Sequence, residues 1–149
     1  MREALLYRGG ERSIVLRMGI LDHITLVVSD YARSKAFYEK ALAPLGIAPI
    51  MEFGSACGFG VPGKPEFWIG VGPASFHVPD QLKNITPMHI AFTAKGRAEV
   101  DAFHRAATAA GGKDFGAPGL RPHYHPNYYG AFVLDPDGHD IEAVFHGPA

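Results

Sequence analysis

An internal repeat constrains this chain more than any other feature. His23 and His89 lie 66 residues apart, and the same step carries Ile24 onto Ile90, Ala36 onto Ala102, Phe37 onto Phe103, Ala41 onto Ala107, Ala43 onto Ala109 and Gly46 onto Gly112. The order of elements repeats with the residues. Residues 21–28 alternate β-branched and apolar positions as a strand does, and 31–43 carry an apolar stripe at helical spacing, ended by Pro44 and Gly46. Short strands follow near 48–53, 55–61 and 66–71, separated by Gly54 and the turn Pro62-Gly63-Lys64-Pro65. After a connector at 72–87 the pattern restarts with a strand at 88–94 and an alanine-rich helix at 97–110 closed by Gly111-Gly112. A loop dense in Pro, His and Tyr is predicted at 115–126. Strands at 128–134 and 140–145 are joined by Asp135-Pro136-Asp137-Gly138, a strong hairpin signal.

Two copies are too few for a solenoid, so the repeat points to a paired fold. The expectation is α+β: two βαβββ modules, at about 19–72 and 87–146, whose curved mixed sheets wrap a cavity. They fall in one domain at 18–149, in line with the 149-residue length. Residues 1–17 read as an N-terminal extension, in which 14–16 is a candidate edge strand. The modules pair either within the chain or across a homodimer.

Composition excludes several classes. A formal charge of −1 advertises neither nucleic acid nor an anionic membrane. No apolar run approaches the ~20 residues of a membrane span, and no signal peptide opens the chain, so a cytoplasmic location is expected. Cys57, the single cysteine, excludes an intramolecular disulfide and a multi-cysteine zinc site, and reads as an inert thiol. No phosphate-binding glycine loop sits between a strand and a helix, so no nucleotide cofactor is indicated. The expected partner is a small molecule.

The chemistry concentrates in a few positions. His23 and His89 open equivalent strands, and Glu142 is a carboxylate set amid apolar residues of the last strand, where unpaired burial is costly. If the modules face each other, two imidazoles and one carboxylate meet, enough to hold a divalent ion with positions open for substrate. The alternative is that the histidines cap strand ends while Glu142 reaches solvent. Within the loop, His125 or His123 is a candidate general acid/base, with Tyr129 beside them. Arg121 is a candidate for a substrate carboxylate or phosphate. Tyr124, Trp68 and Phe67 are candidates for lining the substrate pocket. His77, His104, His139 and His146 are assigned no role.

The segment Asp22-His23-Ile24-Thr25-Leu26-Val27-Val28-Ser29-Asp30, the strand His89-Ile90-Ala91-Phe92 and the hairpin Asp135-Pro136-Asp137-Gly138-His139-Asp140-Ile141-Glu142 resemble the glyoxalase/bleomycin-resistance/extradiol-dioxygenase superfamily, the vicinal oxygen chelate proteins. The resemblance spans about residues 19–146. It implies His23, His89 and Glu142 as metal ligands for one divalent ion (Fe, Zn, Ni or Mn). It also implies a glyoxalase-like lyase or isomerase, or an extradiol-type dioxygenase. Glyoxalase I enzymes carry a fourth ligand on the last strand of the first module. Here that position falls to Phe67 or Trp68, with Glu66 out of register, which puts lactoylglutathione lyase activity in doubt. A metal-free binding protein resembling the bleomycin-resistance members is the rival reading, with an aromatic pocket of Trp68, Phe67, Tyr124 and Tyr129.

Overall fold

A computed structural model describes residues 20–149 and, before them, the backbone pairing of two short strands, β1 (Leu6–Tyr7) and β2 (Ile14–Val15). These two form their own antiparallel ribbon, so Ile14–Val15 of the candidate edge strand at 14–16 pair with Leu6–Tyr7 and with neither large sheet, while residue 16 lies outside the described residues.

The first module runs β3 (Ile24–Val27), α1 (Tyr31–Leu42), β4 (Ala48–Phe53), β5 (Ala56–Gly60) and β6 (Phe67–Gly70). The second runs β7 (His89–Thr93), α2 (Arg97–Ala109), β8 (Lys113–Leu120), β9 (Tyr129–Leu134) and β10 (Asp140–Phe145). Each makes a four-stranded mixed sheet, in the orders β3-β6-β5-β4 and β7-β10-β9-β8, with the first strand parallel to the last. The two orders are the same once the elements are matched, so the fold is α+β and built from two βαβββ modules.

One element departs from the sequence reading. Residues 115–120, expected in a loop, belong to β8. Pro118, Gly116 and Gly119 hide the strand, and the structure shows why they are tolerated there. β8 is an edge strand whose pairing with β9 shifts register on both sides of Gly116, and an edge can lose an N–H without breaking an inner ladder. Its counterpart β4 is also an edge, with Pro49 beside a register shift.

Local chemistry sets the helix ends. Asp30 caps α1 by accepting from the Arg33 N–H at 2.9 Å, which satisfies one of the free N-terminal donors. Pro44 sits in the first positions of a short 3₁₀ turn (Ala43–Leu45), and Gly46, at φ 72°, reverses the chain where a side chain would strain.

Strand alternation divides each sheet into two faces. Leu26, Phe67, Ile69, Cys57 and Phe59 in the first sheet are buried, as are Ile90, Ile141, Ala143, Val133 and Ala131 in the second. These side chains share one core with Phe37, Tyr38 and Leu42 of α1 and Val100, Phe103 and Ala107 of α2. Phe67 meets Phe92 across the modules, ring centroids 5.2 Å apart and nearly perpendicular. At about 25 cal/mol per Å² of apolar surface, this shared core is what joins the halves.

The β9–β10 turn adds a polar clasp between them. The Ser29 N–H donates to Asp137 at 3.0 Å, the Arg33 guanidinium to the same carboxylate at 3.1 Å, and the Tyr38 hydroxyl to Asp135 at 2.6 Å. The buried His139 ring lies at the centre: Nε2–H donates to the Val27 carbonyl, and Nδ1 accepts from the Met88 N–H, each at 3.0 Å. His139 was assigned no role from the sequence; it bridges the two modules.

Candidate metal and substrate site

The opposite faces of the two sheets carry the chemistry. Register places His23, Thr25, Trp68 and Gly58 on one such face, and His89, Ala91, Asp140, Glu142 and Phe132 on the other. In the second sheet His89 pairs with Asp140 and Ala91 with Glu142 across the parallel strands. Glu142 Oε2 lies 3.2 Å from His89 Nε2. That is an ion-pair contact, and it also falls in the roughly 3.0–3.4 Å range between two ligands about 2.1 Å from a common ion at 90–109°.

Both atoms are held by outer partners. The Asp140 carboxylate sits 2.9 Å from His89 Nδ1, which leaves Nε2 to face Glu142. The Tyr128 hydroxyl donates to Glu142 Oε1 at 2.5 Å. A histidine oriented by a carboxylate and a carboxylate oriented by a donor are the outer-shell features of metal ligands. Glu142 is only 1% exposed. Burial pushes its carboxyl up from the ordinary value, against the opposing pull of the Tyr128 hydrogen bond and of His89. The Tyr128 hydroxyl is raised as well, by its burial and by the Glu142 carboxylate.

His23 repeats the arrangement on the other sheet. Its Nδ1 lies 2.7 Å from Asp22, whose second oxygen accepts from Lys64 at 2.7 Å. Those two contacts, Lys64 first, hold the Asp22 carboxyl below its usual range. Within the chain, His23 is not brought to His89 and Glu142. Among the described residues no three His, Cys, Asp or Glu side chains converge on one point. The expectation that the first strands bring both histidines together fails inside one chain, because β3 and β7 belong to separate sheets joined through their helix-covered faces.

Register also aligns the last strands of the two modules. Trp68 pairs with Thr25 as Glu142 pairs with Ala91, and Thr25 and Ala91 are 66 residues apart. Trp68 therefore holds the position of Glu142, stacked on Phe53 at 6.2 Å and 15°. Phe67 points the other way, into the core.

The loop 121–128 lies beside Glu142. His125 Nδ1 accepts from the Asn127 N–H at 3.1 Å, and its Nε2 shares a 2.8 Å hydrogen bond with His146 Nδ1. Both rings pack against Tyr128, at 5.5 and 5.1 Å. Tyr124 packs on Tyr128 at 4.8 Å and on His123 at 4.2 Å, both Tyr124 and His123 being exposed. Arg121 lies over Phe132, 5.6 Å from the ring centre. Tyr129 is on the helix side, donating to Asp101 at 2.8 Å. Sequence reasoning thus missed Tyr128 and His146. Strand parity was the available signal for Tyr128, which alternates with the core residues Ala131 and Val133. His146, past the last strand, carried no such signal.

The comparisons agree with this architecture. The sequence model of the glyoxalase/bleomycin resistance protein/dioxygenase superfamily matches residues 20–143. A glyoxalase/bleomycin resistance protein from Albidiferax ferrireducens T118 is similar at 30% identity and TM-score 0.70, over 87% of this chain and 100% of that one. A glyoxalase-related enzyme from Fulvimarina pelagi is similar at 24% identity and TM-score 0.62, over 86% and 88%. TioX from Micromonospora sp. ML1, at 16% identity and TM-score 0.63 over 87% and 100%, shares the fold. None of the curated proteins compared matches. With the family model spanning both modules, the chain belongs to the glyoxalase/bleomycin resistance protein/dioxygenase superfamily.

Proposed function

We propose that this chain is a divalent-metal-dependent enzyme acting on a small oxygenated substrate, working as a homodimer in which His23 of one copy joins His89 and Glu142 of the other. The observation that carries this reading is the His89–Glu142 pair, two donors at ligand spacing, each held by its own outer partner. The donor set suits Fe, Zn, Ni or Mn. His23 presents its Nε2 in the same way from an open sheet face, and 65% of Phe53 and 42% of Met51 are exposed on β4 of that sheet. A second copy seated there would cover this apolar surface and bring its own His89–Glu142 pair to this His23.

When bound, the ion would polarise vicinal substrate oxygens as a Lewis acid. The chain's own residues do the rest. His89, Glu142 and His23 would hold the ion, and the Tyr128 hydroxyl fixes the Glu142 carboxylate by donating to Oε1. His125, hydrogen-bonded to His146, is placed to move a substrate proton, with His123 as the more exposed second choice. Trp68, Tyr124 and Arg121 meet the substrate. A glyoxalase-like lyase or isomerase and an extradiol-type dioxygenase both fit this set. A second reading, metal-free binding of a flat molecule, is favoured by the stacked Phe53 and Trp68.

Metal content of the purified full chain tests the proposal. One equivalent of ion per chain is expected, lost in His89→Ala, Glu142→Ala and His23→Ala. Mixing His23→Ala with Glu142→Ala chains should restore one intact site per mixed dimer. Loss in His89→Ala and Glu142→Ala with no restoration on mixing would refute the shared site. A chain that takes up none of Fe(II), Ni(II), Zn(II) or Mn(II) would refute the metal reading and leave the binding protein.

A further inference from the structure

Among the described residues, Arg121 is a cation without an anion, making no ion pair. Its guanidinium is instead pinned by main-chain acceptors: Nη2 donates to the Ala117 carbonyl at 2.7 Å and Nη1 to the Leu120 carbonyl at 3.3 Å. A guanidinium has five N–H donors, so most of its capacity remains unused. The side chain follows β8 yet folds back over it. A Cβ built at Gly116 would stand 3.4 Å from Arg121 Nη2, and one at Gly119 would stand 2.9 Å from Nη1. Neither glycine has a positive φ, so the backbone does not require glycine at either position. Gly119 provides room for the guanidinium, and Gly116 provides room first for the Phe132 ring, whose Cδ2 would stand 2.9 Å from an added Cβ, and then for Nη2.

The position matters as much as the charge. Phe132 lies beneath Arg121, and it is also the cross-strand partner of Glu142. The His89 ring stacks toward the same phenyl ring, 6.2 Å away at 27°. Order β7-β10-β9-β8 then puts the ligand pair on one side of Phe132 and the guanidinium on the other. A flat floor with donor atoms at one end and an unpaired fork of N–H groups at the other selects a particular shape of molecule.

We propose that Arg121 is the anion-recognition residue of this site, and that the substrate class is a small planar anion whose carboxylate or phosphate-type group pairs with Arg121 while its flat body lies on Phe132. This rests on the metal reading above only for which end of the molecule reacts. The recognition of charge is a property of Arg121, Phe132, Gly116 and Gly119. A bidentate guanidinium contact with a carboxylate or phosphoryl group gives both energy and a fixed orientation, and orientation is what presents oxygens at the other end of the ring to the ligand pair.

Ligand-observed NMR titration of the full-length, metal-free protein decides it, with benzoate, phenylphosphonate and benzamide as probes of one shape. The expected result is that benzoate or phenylphosphonate binds at least ~10-fold more tightly than neutral benzamide, equal to about 1.4 kcal/mol. The stronger anion identifies the carboxylate or the phosphoryl class. Arg121→Gln should bring the anions down to the level of benzamide, and Arg121→Lys should keep part of the preference. Gly119→Ala, which keeps the charge but crowds Nη1, should weaken the anions as well. Equal binding of all three probes, or an unchanged preference in Arg121→Gln, overturns the proposal. Metal stoichiometry in Arg121→Gln should stay at the parent value. Failure of the metal reading would leave the anion preference standing, and failure of this proposal would leave metal binding intact.

Discussion

Replacing His139 with alanine tests whether the two modules are held by specific polar contacts or by the apolar core alone. The ring is 1% exposed and makes two hydrogen bonds of 3.0 Å, to the Val27 carbonyl of the first module and the Met88 N–H of the second. Deleting it leaves two part-buried backbone groups without their partner, at up to about 1–3 kcal/mol each, and opens a cavity in place of a ring that is 1% exposed. A total of roughly 3–6 kcal/mol is a large share of the ~5–15 kcal/mol that keeps a domain folded. A loss near ~3 kcal/mol would lower Tm by roughly 6–12 °C in a chain of this size. Urea unfolding followed by circular dichroism measures it: the midpoint should fall while the slope stays constant. The comparison is His104→Ala, whose partner Asp114 is an exposed carboxylate 2.9 Å away, a surface pair worth about 0–1 kcal/mol. A His139→Ala loss below ~1 kcal/mol, or one no larger than that of His104→Ala, would refute the clasp.

Three further outcomes follow from the Glu142 environment. Burial raises its folded carboxyl above the ordinary 4.5, so the folded state keeps a proton that the unfolded state releases, and stability declines as pH rises through that window. Glu142→Gln should therefore raise Tm of the metal-free protein at pH 7.5 and match the parent below about pH 4.5; a lowered Tm at pH 7.5 would contradict this. Tyr128→Phe removes the donor to Oε1, and competition titration at pH 7 should show metal affinity falling ~10–100-fold, the usual cost of an outer-shell partner. Gly130→Ala would set a Cβ 2.8 Å from Glu142 Oε1; the expected result is an unchanged circular dichroism spectrum with metal affinity lowered by a similar ~10–100-fold.

The parts of this structure that could be read from sequence are those governed by local periodicity. The repeat, the helices at 31–43 and 97–110 and the Asp135-Pro136-Asp137-Gly138 turn all express one backbone preference over consecutive residues, and each is found within a residue or two of its expected place. β8 was hidden because Gly116, Pro118 and Gly119 are tolerated only by virtue of its edge position, which is a property of the sheet. The Tyr128–Tyr129 pair was misjudged for a related reason. One residue of register sends Tyr128 to Glu142 and Tyr129 to Asp101, and where the strand begins decides which goes where. The pairing of His89 with Glu142 was legible because their strands are fixed neighbours in a βαβββ unit. The place of His23 was not, since nothing local states whether equivalent strands meet within a chain or between chains.

The repeat itself explains why the chemistry is lopsided. Up to the helices the modules keep a step of 66 residues, but register then equates Trp68 with Glu142 and Gly58 with Phe132, a step of 74. Two of the eight added residues lengthen β8 relative to β4, and six lengthen the following connection from 54–55 to 121–128, which carries Arg121, His123, Tyr124, His125 and Tyr128. One module thus kept a short turn and an aromatic open face, with Trp68 on Phe53 and glycine at position 58, where a Cβ would come within 2.7 Å of the indole. The other gained a loop, and with it the hydroxyl that holds Glu142 and the guanidinium over Phe132. Each sheet still buries the equivalent face against the helix of its own module, α1 or α2, and the two helices pack on each other, so the core tolerates this divergence. On the proposed function, a duplicated scaffold with the His89–Glu142 pair on one open face and an aromatic surface beside His23 on the other would complete its site only where unlike faces meet, and that is the physical reason to look for the third ligand on a second copy.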